Sequence, residues 1–203
     1  MKGFPIMFRR CITKHVSGFC VCNEHLSHYN RANKVSDKCL ACGGSHETTA
    51  HITVCPDRER SQIYSSSVDN VVEWMRRHDT APDLASYIEN YLRARGSKTM
   101  GSIVHNCSSP EYQLFAKYQD ILGWQNFIEG RFLSYMVQIQ REYLQTRDSW
   151  RTAESWVRDL IEQVLRITHR QWLQRNAIIH YRLSDGPTVA EKEKIVARVM
   201  ELI

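Results

Sequence analysis

The sequence predicts a mainly α-helical protein, in which a small N-terminal Cys-Cys-His-Cys module packs on helices and a C-terminal helical bundle follows. Three observations lead to this fold class. Apolar residues recur at helical spacing along most of the 203 residues. No Asn-Gly or Asp-Gly hairpin signal separates two alternating apolar runs. Three of the seven cysteines lie within residues 39–55, and together with His51 they have spacings typical of metal ligands.

The first predicted domain, residues 1–60, contains two short helices and the cysteine cluster. Apolar residues from Pro5 to Phe19 have helical spacing, which predicts the first helix. Asn23 is a suitable N-cap for a second helix through Tyr29, because its side chain can accept a hydrogen bond from a free backbone N–H.

The second predicted domain, residues 61–96, is a helical hairpin. Its first helix is expected to end near His78, and Pro82 suits the first turn of the next one. Gly96 is a plausible C-terminal cap. Residues 97–109 are predicted to be a linker, since Gly and Ser cluster there without any apolar period.

Residues 110–203 are predicted to form the helical bundle. Ser109-Pro110-Glu111 marks its start, because Pro suits the first helical position and Glu the positive end of the helix dipole. The longest apolar stripe follows, and Asp185-Gly186-Pro187 ends it. Four of the five tryptophans lie between residues 124 and 172, at spacings that favour a place in the core.

The cysteine cluster has the pattern Cys39-x2-Cys42-x8-His51-x3-Cys55. Two cysteines with two residues between them can reach one ion from a tight turn, and the glycine at position 43 permits that turn. A helix capped by Thr48 or Thr49 would project the last two ligands from one face. Four protein ligands leave no open coordination position, so the pattern predicts one structural Zn²⁺ per chain.

A second group of potential ligands precedes this cluster. A single residue separates its two cysteines, which is poor zinc geometry, and no glycine turn follows. Whether the group forms a second site is left open by the sequence. Its members are Cys20, Cys22, His25 and His28.

The net charge of +5 is concentrated near the N-terminus. Residues 1–60 hold nine Lys and Arg against five Asp and Glu, a balance of +4, while the other 143 residues hold 18 against 17. Weak, sequence-independent binding of RNA or DNA through phosphate contacts is therefore expected there. The candidate contacts are Arg9, Arg10, Lys14, Arg31, Lys34, Lys38, Arg58 and Arg60.

The stretch KHVSGFCVCNEHLSHYNRANKVSDKCLACGGSHETTAHITVCPD resembles the zinc-binding domain that follows the reverse transcriptase in non-LTR retroelements. The matching residues are Lys14, Gly18, Cys39, Cys42, Gly43, Glu47, Thr48, His51 and Cys55. Two later stretches, DILGWQNFIEGRFLSYMVQIQREYL and WLQRNAIIHY, resemble downstream regions of retroelement-derived reading frames from algae and other microbial eukaryotes. The resemblance implies a zinc-stabilised nucleic-acid-binding accessory module of a retroelement-derived protein, with a reverse transcriptase domain upstream as a partner.

Catalysis by this chain is not expected, because the Tyr-x-Asp-Asp polymerase signature is absent. A metal-dependent nuclease remnant is one alternative, suggested by Pro56-Asp57, with Asp69 and Glu73 as further carboxylates. Position 75 is Met where that chemistry would use a lysine. The other alternative is a structural or protein-interaction module in which zinc joins helices.

The remaining expectations concern location and ligands. No apolar run approaches the roughly 20 residues that cross a bilayer, and charged residues interrupt the start of the chain where a signal peptide needs an apolar stretch. An intracellular protein, nuclear or cytoplasmic and not secreted, is therefore expected. No nucleotide-binding or hydrolase motif is present, so no small-molecule substrate is predicted. The lack of a long apolar run predicts no membrane partner.

Overall fold

The computed structural model describes residues 5–29, 36–44, 46–147, 149–182, 193–194 and 196–198, and only the backbone of residues 180–182. It is mainly helical, which confirms the predicted fold class. Extended pairing within the described residues is one antiparallel bridge between Lys38 and His46. The chain divides into two compact units: unit 1 is Met1–Ser67 with Ile167–Ile203, and unit 2 is Val68–Arg166.

The described N-terminal residues of unit 1 form three short helices before a long helix begins at Arg58. Helix α1 (Ile6–Val16) buries one face through Phe8, Cys11, Ile12 and His15, as the apolar spacing predicts. Helices α2 (Asn23–Tyr29) and α3 (Thr49–Val54) flank the cysteine turn. Asn23 begins α2 but has another role than the predicted cap, since its side-chain amide donates to the Lys38 carbonyl at 2.8 Å.

Two long helices, α4 (Arg58–Arg77) and α9 (Ala153–Arg182), have residues in both units. In unit 1, Trp172 of α9 packs against a buried cluster formed by Cys20, Cys22 and Ile52. The Phe8 ring meets the His169 ring edge-on at 4.9 Å. The last residues of α9 that the structure describes therefore belong with the N-terminal segment, and not with the bundle predicted for residues 110–203.

Unit 2 adds helices α5 (Pro82–Ala94), α6 (Met100–Val104), α7 (Pro110–Ile128) and α8 (Ser134–Thr146). Its core is aliphatic and aromatic, with Trp156 fully buried and its Nε1 donating to Thr80 Oγ1 at 2.9 Å. Pro110 begins α7 as predicted. The prediction that Trp150 lies in the core is wrong, because its side chain is 89% exposed.

The segment predicted as a linker, residues 97–109, contains α6. Thr99 caps this helix by accepting from Ser102 N at 3.1 Å, and Met100 and Val104 are buried. The Asp120 carboxylate accepts from Met100 N at 2.6 Å and from Gly101 N at 2.9 Å. The Gly- and Ser-rich composition therefore does not mark a boundary, because a carboxylate distant in sequence satisfies the exposed N–H groups of the turn.

Candidate metal centre

The four predicted ligands converge. One ligand atom from each of Cys39, Cys42, His51 and Cys55 lies within 4.8 Å of all the others. The Sγ atoms of Cys39 and Cys55 are 3.7 Å apart, and Cys42 Sγ is 3.5 Å from His51 Nε2. A tetrahedral zinc about 2.3 Å from each sulfur separates its sulfurs by about 3.8 Å. The Cys₃His group therefore could hold a metal ion with little rearrangement.

Local geometry explains why these residues meet. Gly43 N donates to the Cys39 carbonyl at 2.8 Å, which closes the turn between the first two cysteines. Gly43 has φ +71°, a conformation that residues with a Cβ rarely adopt. Thr48 Oγ1 accepts from His51 N at 3.0 Å and caps α3, as predicted. The cap fixes the start of the helix that presents His51.

Hydrogen bonding shifts the pKa values of the Cys39 and Cys55 thiols in opposite directions. The hydrogen bond between Cys39 and Cys55, aided by one with His51, lowers the pKa of Cys39 against the opposing effect of burial. The same Cys39 contact, together with burial, raises the pKa of Cys55. Hydrogen bonding to Cys39 also raises the pKa of His51. A metal ion would bind all three cysteines of the group as thiolates.

A buried ionic cluster lies beside the metal ligands in sequence and centres on Glu47, which is fully buried. Its Oε2 accepts from Arg175 Nη2 at 2.9 Å, from Arg175 Nε at 3.0 Å and from Asn23 N at 3.1 Å. Its Oε1 lies 3.5 Å from Arg60 Nη2. Arg175 also donates to Asn23 Oδ1 at 3.1 Å. One carboxylate thus joins α2, α4 and α9 to the loop that precedes α3.

The sequence analysis missed this cluster. Residues 47 and 175 are separated by 128 positions, and no local spacing pattern links them. The prediction that Arg60 contacts phosphate is wrong, because its guanidinium is fully buried and faces Glu47. A buried arginine cannot reach a nucleic-acid backbone in solvent.

Five of the other predicted phosphate contacts are exposed side chains of unit 1. Arg9, Arg10 and Lys14 are exposed on α1, where they surround a shallow, open depression together with Ile6 and Thr13. Lys38 and Arg58 are exposed elsewhere in unit 1. Arg31 and Lys34 lie outside the described residues.

The three cations of α1 lack carboxylate partners within the described part of the chain, whereas eight arginines of unit 2 have a carboxylate oxygen within 3.7 Å. Unit 2 therefore neutralises most of its arginines internally. The positive potential of α1 is not offset in this way and faces solvent.

The carboxylates considered for a nuclease each have another partner. Asp57 Oδ1 accepts from Arg60 N at 3.1 Å at the start of α4. Asp69 pairs with Arg93 at 2.8 Å. Glu73 pairs with two arginines of α4 at 2.7 Å, and the hydrogen bond from Arg76 lowers its pKa to about 2. None of these three belongs to a converging group of possible metal ligands in the described residues.

None of the helices that the structure describes is long and apolar enough to span a bilayer. Comparison of the chain with protein-family models, with curated proteins and with solved structures finds no significant match in any of the three.

Proposed function

We propose that this chain is a zinc-stabilised, non-catalytic module that binds the phosphate backbone of RNA or DNA and acts as an accessory to a retroelement-derived reverse transcriptase. The observation that carries the proposal is the row of exposed cations on α1, Arg9, Arg10 and Lys14, which has no acidic partner in the described residues. Such a row attracts a polyanion without reading its sequence.

The opposite face of α1 supports this role. Its buried side chains, Phe8, Cys11, Ile12 and His15, anchor the helix in unit 1. The cations therefore project from a fixed backbone, and binding does not have to order the helix first. Arg10 and Lys14 are four residues apart and so lie next to each other on the helix surface.

Zinc has a structural part in the proposal. The Cys₃His group would bind it through four protein ligands, which leaves no position for a reactive water. The ion would hold the cysteine turn and α3 together in a segment with few apolar side chains of its own. The proposed activity is therefore binding alone.

The test is a salt titration of binding to labelled single-stranded and duplex RNA and DNA, measured by fluorescence anisotropy. The triple variant Arg9→Ala, Arg10→Ala, Lys14→Ala should weaken binding at least tenfold at low salt. It should also reduce the log–log salt slope by about two to three units, since each phosphate contact contributes about 0.7 to 0.9.

A control variant with the same loss of charge distinguishes binding at a specific site from attraction by the net charge of the protein. Arg76, Arg77 and Arg158 are exposed and paired with carboxylates in unit 2, and their replacement by Ala lowers the net charge equally. This control should change affinity less than threefold. Equal losses in the two triple variants, or no binding by the wild-type chain, would contradict the proposal.

A protein-interaction module is the second candidate, and exposed apolar side chains in unit 2 favour it. Trp150 is 89% exposed and Ile121 is 74% exposed. If the salt titration finds no binding to any of the four nucleic acids, this candidate becomes the better account of the chain.

A further inference from the structure

A second set of metal-binding side chains converges in unit 1 at the start of α2. One ligand atom from each of Cys22, Glu24 and His25 lies within 4.8 Å of the other two. The upstream group suggested by the sequence thus forms in part, with a glutamate in place of Cys20 and His28. A thiol, a carboxylate and an imidazole are together a donor set typical of zinc and cobalt.

A hydrogen bond fixes the state of the histidine. His25 Nδ1 lies 2.9 Å from the backbone carbonyl oxygen of Cys20. Because a carbonyl oxygen can only accept, Nδ1 carries the proton, and the lone pair of the neutral ring is on Nε2. Histidines that bind metals usually donate their second nitrogen to a carbonyl or carboxylate in this way, which orients the ring.

The backbone holds the other two ligands in place. Cys22 is fully buried in the cluster with Cys20 and Ile52, so its sulfur has little freedom. Leu26 N donates to the Cys22 carbonyl at 3.0 Å, and Glu24 N donates to the Glu47 carbonyl at 3.3 Å. Glu24 and His25 are half-buried, so their side chains are partly open to solvent.

We propose that Cys22 Sγ, a Glu24 carboxylate oxygen and a ring nitrogen of His25 bind a second transition-metal ion of the Zn²⁺ class. Three protein ligands leave the fourth tetrahedral position to water or to an external donor. The site binds its ion more weakly than the Cys₃His group, which supplies three thiolates and has no open position. This inference is independent of nucleic-acid binding.

The test uses the full chain, stripped of metal and reconstituted with Zn²⁺ or Co²⁺. Metal per chain is measured by elemental analysis after desalting, and each Co²⁺ site is titrated by its visible absorption. The wild-type chain should bind two ions in separable steps. His25→Ala should bind one, while the control His28→Ala, on the same helix but outside the group, should bind two.

Glu24→Gln keeps the shape of the side chain and guards against misfolding of His25→Ala. It should raise the dissociation constant of the weaker ion by about tenfold or more and leave the tighter ion unchanged. One ion in the wild-type chain would overturn the proposal. So would two ions in His25→Ala, or a Glu24→Gln titration identical to that of the wild type.

Discussion

The buried side chains of unit 1 differ in kind from those of unit 2. Unit 1 buries a glutamate, two arginines and a histidine, His15, whose ring nitrogens have no hydrogen-bond partner among the described residues. Unit 2 buries mostly aliphatic and aromatic groups, among them Tyr91, Phe115, Phe127 and Trp156. An aromatic core is stabilised by area removed from water, whereas buried charges are stable only while every partner is present. We therefore expect the stability of unit 1 to depend on a few specific contacts, and the stability of unit 2 to depend on its buried area as a whole.

The surfaces of the two units differ in how far their charges are paired. Arginines of unit 2 pair with carboxylates, as Arg93 does with Asp69 at 2.8 Å and Arg151 with Asp159 at 2.8 Å. Exposed pairs of this kind contribute little to stability but cancel charge. The α1 cations are not cancelled by described residues. Unit 1 thus combines charges in its interior with a group of α1 cations that no described carboxylate neutralises, which makes α1 a suitable place for an anionic ligand.

The largest expected effect comes from breaking the metal site. Cys42→Ser should lose the ion and with it much of the cooperative unfolding of unit 1, since apparent zinc-binding energies in small domains are on the order of 10 kcal/mol. Metal content and denaturant unfolding followed by circular dichroism measure the result. Cys107→Ser, a cysteine of unit 2 outside the ligand groups, is the control and should keep both the metal and the transition.

The next effect comes from the carboxylate between the buried arginines. Glu47→Gln should lower the free energy of unfolding by about 3 to 5 kcal/mol, because Arg60 and Arg175 are left without a counter-charge. Glu73→Gln also removes a carboxylate with two arginine partners, but an exposed one, and should cost less than about 1 kcal/mol. Urea unfolding curves give both numbers. Similar losses in the two variants would show that burial of the charges does not matter.

A smaller effect concerns pH. Burial lowers the pKa of His15 from 6.5 to about 4, and neither ring nitrogen has a hydrogen-bond partner among the described residues. The unfolded chain therefore binds a proton at His15 before the folded one does. Stability is complete above about pH 6.5 and falls as the pH drops toward 4, by on the order of 3 kcal/mol.

The variant His15→Leu should remove this part of the pH dependence. Unfolding of the metal-loaded chains is measured between pH 7 and pH 4.5, and the difference between variant and wild type is compared at each pH. Acid also protonates the metal ligands, but it does so in both proteins, so the difference isolates His15. A difference that stays constant with pH would refute the assignment.

The smallest effect compares two helix caps. Thr48 caps α3 and Thr99 caps α6, through hydrogen bonds of 3.0 and 3.1 Å. Replacing either by Ala should cost about 1 kcal/mol. Only Thr48→Ala should also weaken metal binding, because its cap holds His51 N. Competition for Zn²⁺ with a chromophoric chelator measures the affinity of each variant. Equal affinities in the two variants would show that the Thr48 cap does not support the metal site.

The sequence predicts those features whose parts lie close together along the chain. The ligands from Cys39 to Cys55 and the Thr48 cap follow from local spacing, as does the start of α7 at Pro110. The position of Arg60 does not, because its burial depends on Glu47 and on a helix more than 100 residues later: Gln171 Nε2 donates to the Arg60 carbonyl at 3.0 Å.

Helix α6 was missed for a similar reason. Its composition is that of a loop, and its exposed N–H groups are satisfied by Asp120, about 20 residues away. Glu24 was not predicted as a ligand, because the spacing of cysteines and histidines does not indicate which carboxylate lies next to their side chains. Long-range polar pairing leaves no periodic signal, so only coordinates reveal it.

The most direct test of the central difference between the units is hydrogen exchange with and without metal. Full-length protein is compared before and after removal of zinc with a chelator, and exchange is followed by mass spectrometry of peptides. Metal removal should greatly speed exchange in residues 36–55 and leave α5, α7 and α8 protected. Unchanged protection in residues 36–55, or an equal loss in both units, would contradict the account.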